Sequence, residues 1–204
     1  MNHQSMQDKK RFEKAIALFD AYNSNDPHRE KIDDKDAPKE FLYAIRMTSR
    51  LSHYEPSAPE HVQLAVRSQH IGRWEIARSS FPMDKKGYLQ WRSQLAIHHA
   101  KTAEKILQEC GYDQDAIEKV KFLLQKKQLH QNPETQLLED VVCLVFIEFY
   151  LHEFAAQHDD EKVIDILKKT LHKMSPRAIQ EALKIPVTDH IKRLIGKAAA
   201  LGES

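Results

Sequence analysis

The chain has 204 residues, and 31 Lys plus Arg nearly cancel 30 Asp plus Glu, so there is no global field to draw in nucleic acid or an anionic membrane. Two cysteines, Cys110 and Cys143, with neither metal-ribbon spacing nor the numbers for a disulfide framework, suit a reducing compartment. The longest apolar run, Val141 to Ile147, is far short of the roughly 20 residues a membrane span needs, and the first dozen residues carry no secretory signal; a cytoplasmic location is expected.

Glycine is scarce, with 5 in the chain, and helix formers abound, so the expected fold is all-α. The expectation is a single-domain bundle of about eight or nine helices over residues 1–204, with a core from 9 to 174 and packing helices from 175 to 204. The first helix spans Asp8 to Tyr22, with Phe12, Ala15, Ile16 and Phe19 as its apolar stripe. A polar, turn-rich stretch from Asn23 to Asp36 follows. The second helix runs from about Pro38 to Ser52 with Phe41, Ile45 and Leu51 inward. Ser57-x-x-Glu60 has the form of a capping box and starts a third helix running toward Trp74.

The fourth helix is predicted from Lys85 to Cys110, stopped by Gly111. Asp113 caps a fifth, to about Gln128, and Asn132-Pro133 opens a sixth that is apolar almost all round and is expected to be central. Shorter helices follow near Glu161 to His172, Pro176 to Lys184 and Thr188 to Leu201, with Ser175 and Thr188 as starts.

Polar residues on apolar faces mark the candidate site. On the fourth helix Arg92 and His99 fall within the buried arc, seven residues apart, and an inward arginine requires an acidic partner. The sixth helix offers Glu139, Asp140 and Glu148. Two accounts stand: a buried Arg–carboxylate pair that fixes helix register, or a polar pocket in which His99 and Asp140 bind a metal or ligand. On an unbroken third helix Arg67, His70, Trp74 and Arg78 share roughly an 80° arc, flanked by Arg73. That set suits an anion, because arginine grips phosphate through two parallel hydrogen bonds; its alternative is a solvated arginine face. His61 lies about 180° from His70 on such a helix, so both reach one pocket only if the helix breaks.

No Gly-rich phosphate loop, nucleophile elbow or HExxH pattern is present. The stretches HIGRWEI, SSFPMDKKGYLQWR and LEDVVCLVF resemble the domain of unknown function family 4202, over about residues 10 to 180. That resemblance implies no established activity. A more distant resemblance is to the HD superfamily of all-helical metal-dependent phosphohydrolases, and implies an HD-like architecture. Its ligand order of His, adjacent His-Asp and Asp is matched in spacing by His61, His98 with His99, and Asp140, but His99 stands where that superfamily has Asp.

The expectation is therefore a metal-dependent hydrolase of a phosphate-containing small molecule or nucleotide. His61, His70, His99 and Asp140 would hold a divalent transition metal (Zn, Mn, Fe or Ni), and Arg67, His70, Arg73, Arg78, Arg92 and Glu139 would serve the reaction. The alternative is a non-catalytic module that binds an anionic ligand or a protein. RNA contact through Lys119 to Lys127 is disfavoured by the near-zero net charge.

Overall fold

The computed structural model describes residues 3–32 and 35–201. Those residues form ten α-helices and one small antiparallel hairpin, so the expected all-α class holds. The chain divides into two compact units, Met1–Lys127 and Gln128–Ser204.

In the first unit, α1 (His3–Asn23) is followed by strands β1 (Arg29–Ile32) and β2 (Lys35–Pro38), paired with Arg29 opposite Pro38. Next come α2 (Lys39–Tyr54), α3 (Glu60–Arg67), two 3₁₀ turns at Arg73–Glu75 and Arg78–Ser80, α4 (Lys85–Glu109) and α5 (Gln114–Leu124). Helix α3 packs against α1, α2 and α5, and α4 against α1 and α5. Phe19, Met47, Leu64, Ile71, Leu95, Leu107 and Leu123 are fully buried among them. Burying such a side chain contributes about 1.5–3 kcal/mol.

Local chemistry sets most helix ends. Asp84 accepts a hydrogen bond from the Gly87 amide and Asp113 from the Ala116 amide, each satisfying one of the donors left open in a first turn. At the far end of α4 the Gly111 amide donates to the Gln108 carbonyl and the Tyr112 amide to Leu107, with Gly111 at φ +81°. These two bonds form the left-handed stop expected from its position.

Two starts differ from expectation. Ser57 and Glu60 form no capping box: the Ser57 hydroxyl donates to Glu55, Glu60 accepts from the Tyr112 hydroxyl, and Pro59 holds the cap position. The hairpin occupies part of what read as plain turn, and Asp26, buried beside it, accepts from the Glu40 amide and thereby closes the first turn of α2. With the hairpin packed on it, α2 buries Glu40, Tyr43, Ala44, Met47 and Leu51, while Ile45 is exposed and Phe41 half-buried.

The second unit holds α6 (Pro133–Val145), a π-helical turn at Phe146–Tyr150, α7 (Leu151–Gln157), α8 (Asp160–Lys173), α9 (Pro176–Ala182) and α10 (Asp189–Ala200). Asn132 caps α6 as expected, but the long apolar helix is interrupted by the π-helical turn, and Glu148 is exposed. Leu138, Val141, Leu144, Ile147 and Leu151 are buried, and α6 packs on α8 and α9. Among the described residues no helix is long and apolar enough to cross a membrane.

Candidate functional site

The third helix does not run to Trp74. It ends at Arg67, where the Ser68 hydroxyl donates back to the Leu64 carbonyl, and the chain then turns through Gly72 at φ +66°. That break scatters the set expected on one face. Arg67 turns to α1, with Nε and Nη2 each 2.7 Å from an oxygen of Asp20, and Nη1 donates to Thr48. Trp74 packs near Tyr22, and Arg78 donates to the carbonyls of Phe81 and Asp84, tying down the loop before α4. Of that set, His70 reaches a cavity, and so does Arg73.

The cavity lies wholly in the first unit and has a volume of about 260 Å³. The turn after α3 supplies Gln69, His70 and Arg73; α4 supplies Arg92 and His99; Lys126 closes it from the residues just past α5. Leu89, Leu95, Ala96 and Leu124 form its apolar wall. Arg92 and His99 do share one site, as their spacing on α4 predicted.

Behind His70 lies a carboxyl from α2 rather than one from α6. Glu40 Oε2 is 3.2 Å from His70 Nδ1, and Arg73 Nη1 is 3.4 Å from His70 Nε2. A guanidinium only donates, so Nε2 is the acceptor nitrogen and Nδ1 carries the proton given to Glu40. Tyr43 stacks on the ring at 4.1 Å, and Arg73 is held between Glu40, at 3.6 Å, and the face of Trp91, at 4.8 Å. His99 Nδ1 is 2.6 Å from the Ile71 carbonyl. A carbonyl only accepts, so Nδ1 is protonated and Nε2 is the free acceptor.

Burial, reinforced by Arg73, holds the His70 imidazolium well below its ordinary range, and burial pushes His99 down to about 3. Both rings are therefore neutral at neutral pH. Burial also pushes Glu40 up to about 7 against the pull of Arg73, and lowers Arg73 itself. The positive charge of the cavity comes from Arg73, Arg92 and Lys126, and Arg92 makes no ion pair among the described residues.

The remaining expected residues lie elsewhere. His61 lines a separate cavity of about 160 Å³ with Arg11, Glu60, Tyr112 and Lys119. The break in the helix thus occurs, yet it does not bring His61 and His70 to one pocket. Glu139 and Asp140 belong to the second unit: Glu139 is 3.5 Å from Lys173, and Asp140 accepts from the amide and hydroxyl of Ser175 and from Gln136. His98 faces Glu75 at 3.2 Å. Among the described residues no three of His, Cys, Asp and Glu gather as a metal-binding group. Of the expected metal ligands, His70 and His99 share the cavity, with ring centres 5.9 Å apart; catalytic zinc sites use three protein ligands, and this donor set does not fit one.

Glu40, Gln69, Trp91 and Tyr43 carried no sequence signal as site residues, because each owes its place to contacts between elements.

Fold and cavity together define an all-α protein with an arginine- and histidine-lined pocket in its first unit. The profile of the family described as Domain of unknown function (DUF4202) matches residues 13–195, and the chain belongs to that family. No curated protein and no solved structure matches the chain.

Proposed function

We propose that the cavity of the first unit binds a small phosphate-bearing molecule. The observation that carries this reading is the convergence of Arg73, Arg92 and Lys126 on a cavity whose two imidazoles are neutral and whose lining, among the described residues, holds no carboxylate. Arginine offers phosphate paired donors in a fixed fork, and partial burial strengthens each charge-assisted bond. Free Cys110 and Cys143 support a cytoplasmic pool as the source of the ligand.

Thermal unfolding against inorganic phosphate, phosphorylated metabolites and nucleotides tests this. A true ligand at 100 times its Kd adds about 2.7 kcal/mol of stability, and Arg92→Ala removes that gain. If no phosphate compound raises the midpoint, the reading fails.

A second reading, hydrolysis of the bound ester, is favoured by the Glu40–His70 pair. A carboxyl that fixes the imidazole tautomer leaves Nε2 as a proton acceptor, the arrangement of a general base with its orienting group. Water would attack phosphorus as the ester P–O bond breaks, with His70 Nε2 taking the water proton and returning it to the leaving alkoxide. Arg73 must first move from Nε2 onto the phosphoryl oxygens, where it stabilises the developing charge. Kinship with the HD superfamily belongs to this reading and rests on the all-helical class, since His61 lines a different cavity and Asp140 is engaged by Ser175. No step here runs through a metal. Phosphate release that disappears in His70→Ala while binding persists supports hydrolysis; binding with no turnover leaves a non-catalytic module.

A further inference from the structure

The cavity has a second chemical character besides its positive charge. Gln69 is 4% exposed, lines the cavity, and its side-chain oxygen Oε1 has no hydrogen-bond partner in the protein. Buried polar groups are almost always hydrogen-bonded, and one left unpaired costs stability, so such an amide in a cavity wall marks a place for a ligand group. His99, also 4% exposed and in the same wall, spends its Nδ1 proton on the Ile71 carbonyl and keeps Nε2 as an acceptor. Two uncharged acceptors thus accompany three cationic donors. A bare anion has nothing to give either acceptor.

The volume narrows the ligand further. About 260 Å³ lies below the range of about 300–1,000 Å³ typical of sites for drug-sized molecules. Among the described lining residues there is no Phe, Tyr or Trp on which a base would stack, and of the two imidazoles His70 already has one face covered by Tyr43.

Resting on the phosphate reading above, we infer that the ligand is the phosphate ester of a small polyol: its phosphate meets Arg73, Arg92 and Lys126, and its hydroxyls donate to Gln69 Oε1 and His99 Nε2. Hydroxyl groups suit both acceptors because each can turn its proton toward either.

Titration calorimetry with methyl phosphate, ribose 5-phosphate and AMP tests this on the full chain. The wild type is expected to bind ribose 5-phosphate at least tenfold more tightly than methyl phosphate. Gln69→Leu should weaken ribose 5-phosphate about tenfold, the effect of one lost hydrogen bond, and leave methyl phosphate unchanged. Its thermal midpoint without ligand should not fall, because the variant removes an unpaired buried amide. Equal wild-type affinities for methyl phosphate and ribose 5-phosphate, or tighter binding of AMP than of ribose 5-phosphate, would overturn the polyol inference while the anion reading stands. The wild-type comparison decides even where Gln69→Leu does not fold. Failure of all three compounds to bind sinks both.

Discussion

Arg67 of α3 and Asp20 of α1, 47 residues apart in sequence, meet through two parallel hydrogen bonds of 2.7 Å each. The pair fastens α3 to α1 and, with Nη1 donating to Thr48, commits three of the five guanidinium N–H groups to neighbouring helices rather than to the cavity. A buried pair broken on one side costs about 3–5 kcal/mol. Here the Asp20 side chain is 25% exposed, so a lower figure applies. Arg67→Ala is expected to lower unfolding free energy by on the order of 2–3 kcal/mol, read by urea titration, with ribose 5-phosphate affinity held within about twofold. A large loss of affinity in a folded Arg67→Ala protein would return Arg67 to the site.

Stability should depend on pH through the imidazoles. His99 falls from 6.5 to about 3 on folding, so between those values the unfolded chain binds more protons, and stability falls as pH drops through that window. His70 acts in the same sense. Glu40, raised from 4.5 to about 7, acts oppositely: between those values the folded chain holds more protons, so its share of stability falls as pH rises. The imidazoles and the carboxyl therefore act in opposite senses below 6.5. His99→Gln, which can still donate to the Ile71 carbonyl, removes one proton's worth of slope, up to about 1.4 kcal/mol per pH unit. Urea titrations from pH 4 to 7 measure it; an unchanged slope would mean that His99 is not held neutral.

Asp140 read as a metal ligand from sequence, and its geometry points to another role. Its carboxylate accepts from the Ser175 amide at 2.8 Å, the Ser175 hydroxyl at 2.6 Å and Gln136 at 2.9 Å, so it anchors the residue that caps α9. Asp140→Ala strands these donors and should cost about 2 kcal/mol, with phosphate affinity unaffected. A lost metal or lost phosphate affinity in a folded variant would contradict that assignment. Metal content of untagged protein, with and without the substitution, supplies the first readout.

Some helix ends were legible because capping is local: Asp113, Asn132, Ser175, Thr188 and Gly111 each act within a turn of where they sit. Arg92 and His99 were legible as a pair because seven residues of uninterrupted helix fix their relation. The Arg67, His70, Trp74 and Arg78 face failed with its premise, a helix that instead stops at Ser68. Glu40 carried no signal, since its burial depends on the hairpin packed against α2, and the short strands Arg-Glu-Lys-Ile and Lys-Asp-Ala-Pro carry no strong alternation. Its pairing with His70 spans 30 residues, which no local pattern encodes.

Lys126 combines a left-handed backbone position with a place in the cavity wall. At the end of α5 the Lys126 amide donates to the Leu123 carbonyl and the Lys127 amide to Phe122, the same pair of bonds that closes α4 around Gly111. In α4 the left-handed position holds glycine at φ +81°; in α5 it holds Lys126 at φ +50°. A residue with a Cβ costs roughly 1–2 kcal/mol more than glycine there. Lys126 is also the side chain that closes the cavity from past α5. Lys126→Gly relieves that strain, offset by the lost contacts of the lysine side chain and by a looser unfolded chain, and is expected to weaken methyl phosphate binding about tenfold, the share of one charged hydrogen bond. Gly111→Ala is the control: a Cβ there meets nothing within 4 Å, so its loss of about 1 kcal/mol is backbone strain alone, with affinity unchanged. Folded Lys126→Gly protein that still binds phosphate at full strength would take Lys126 out of the site.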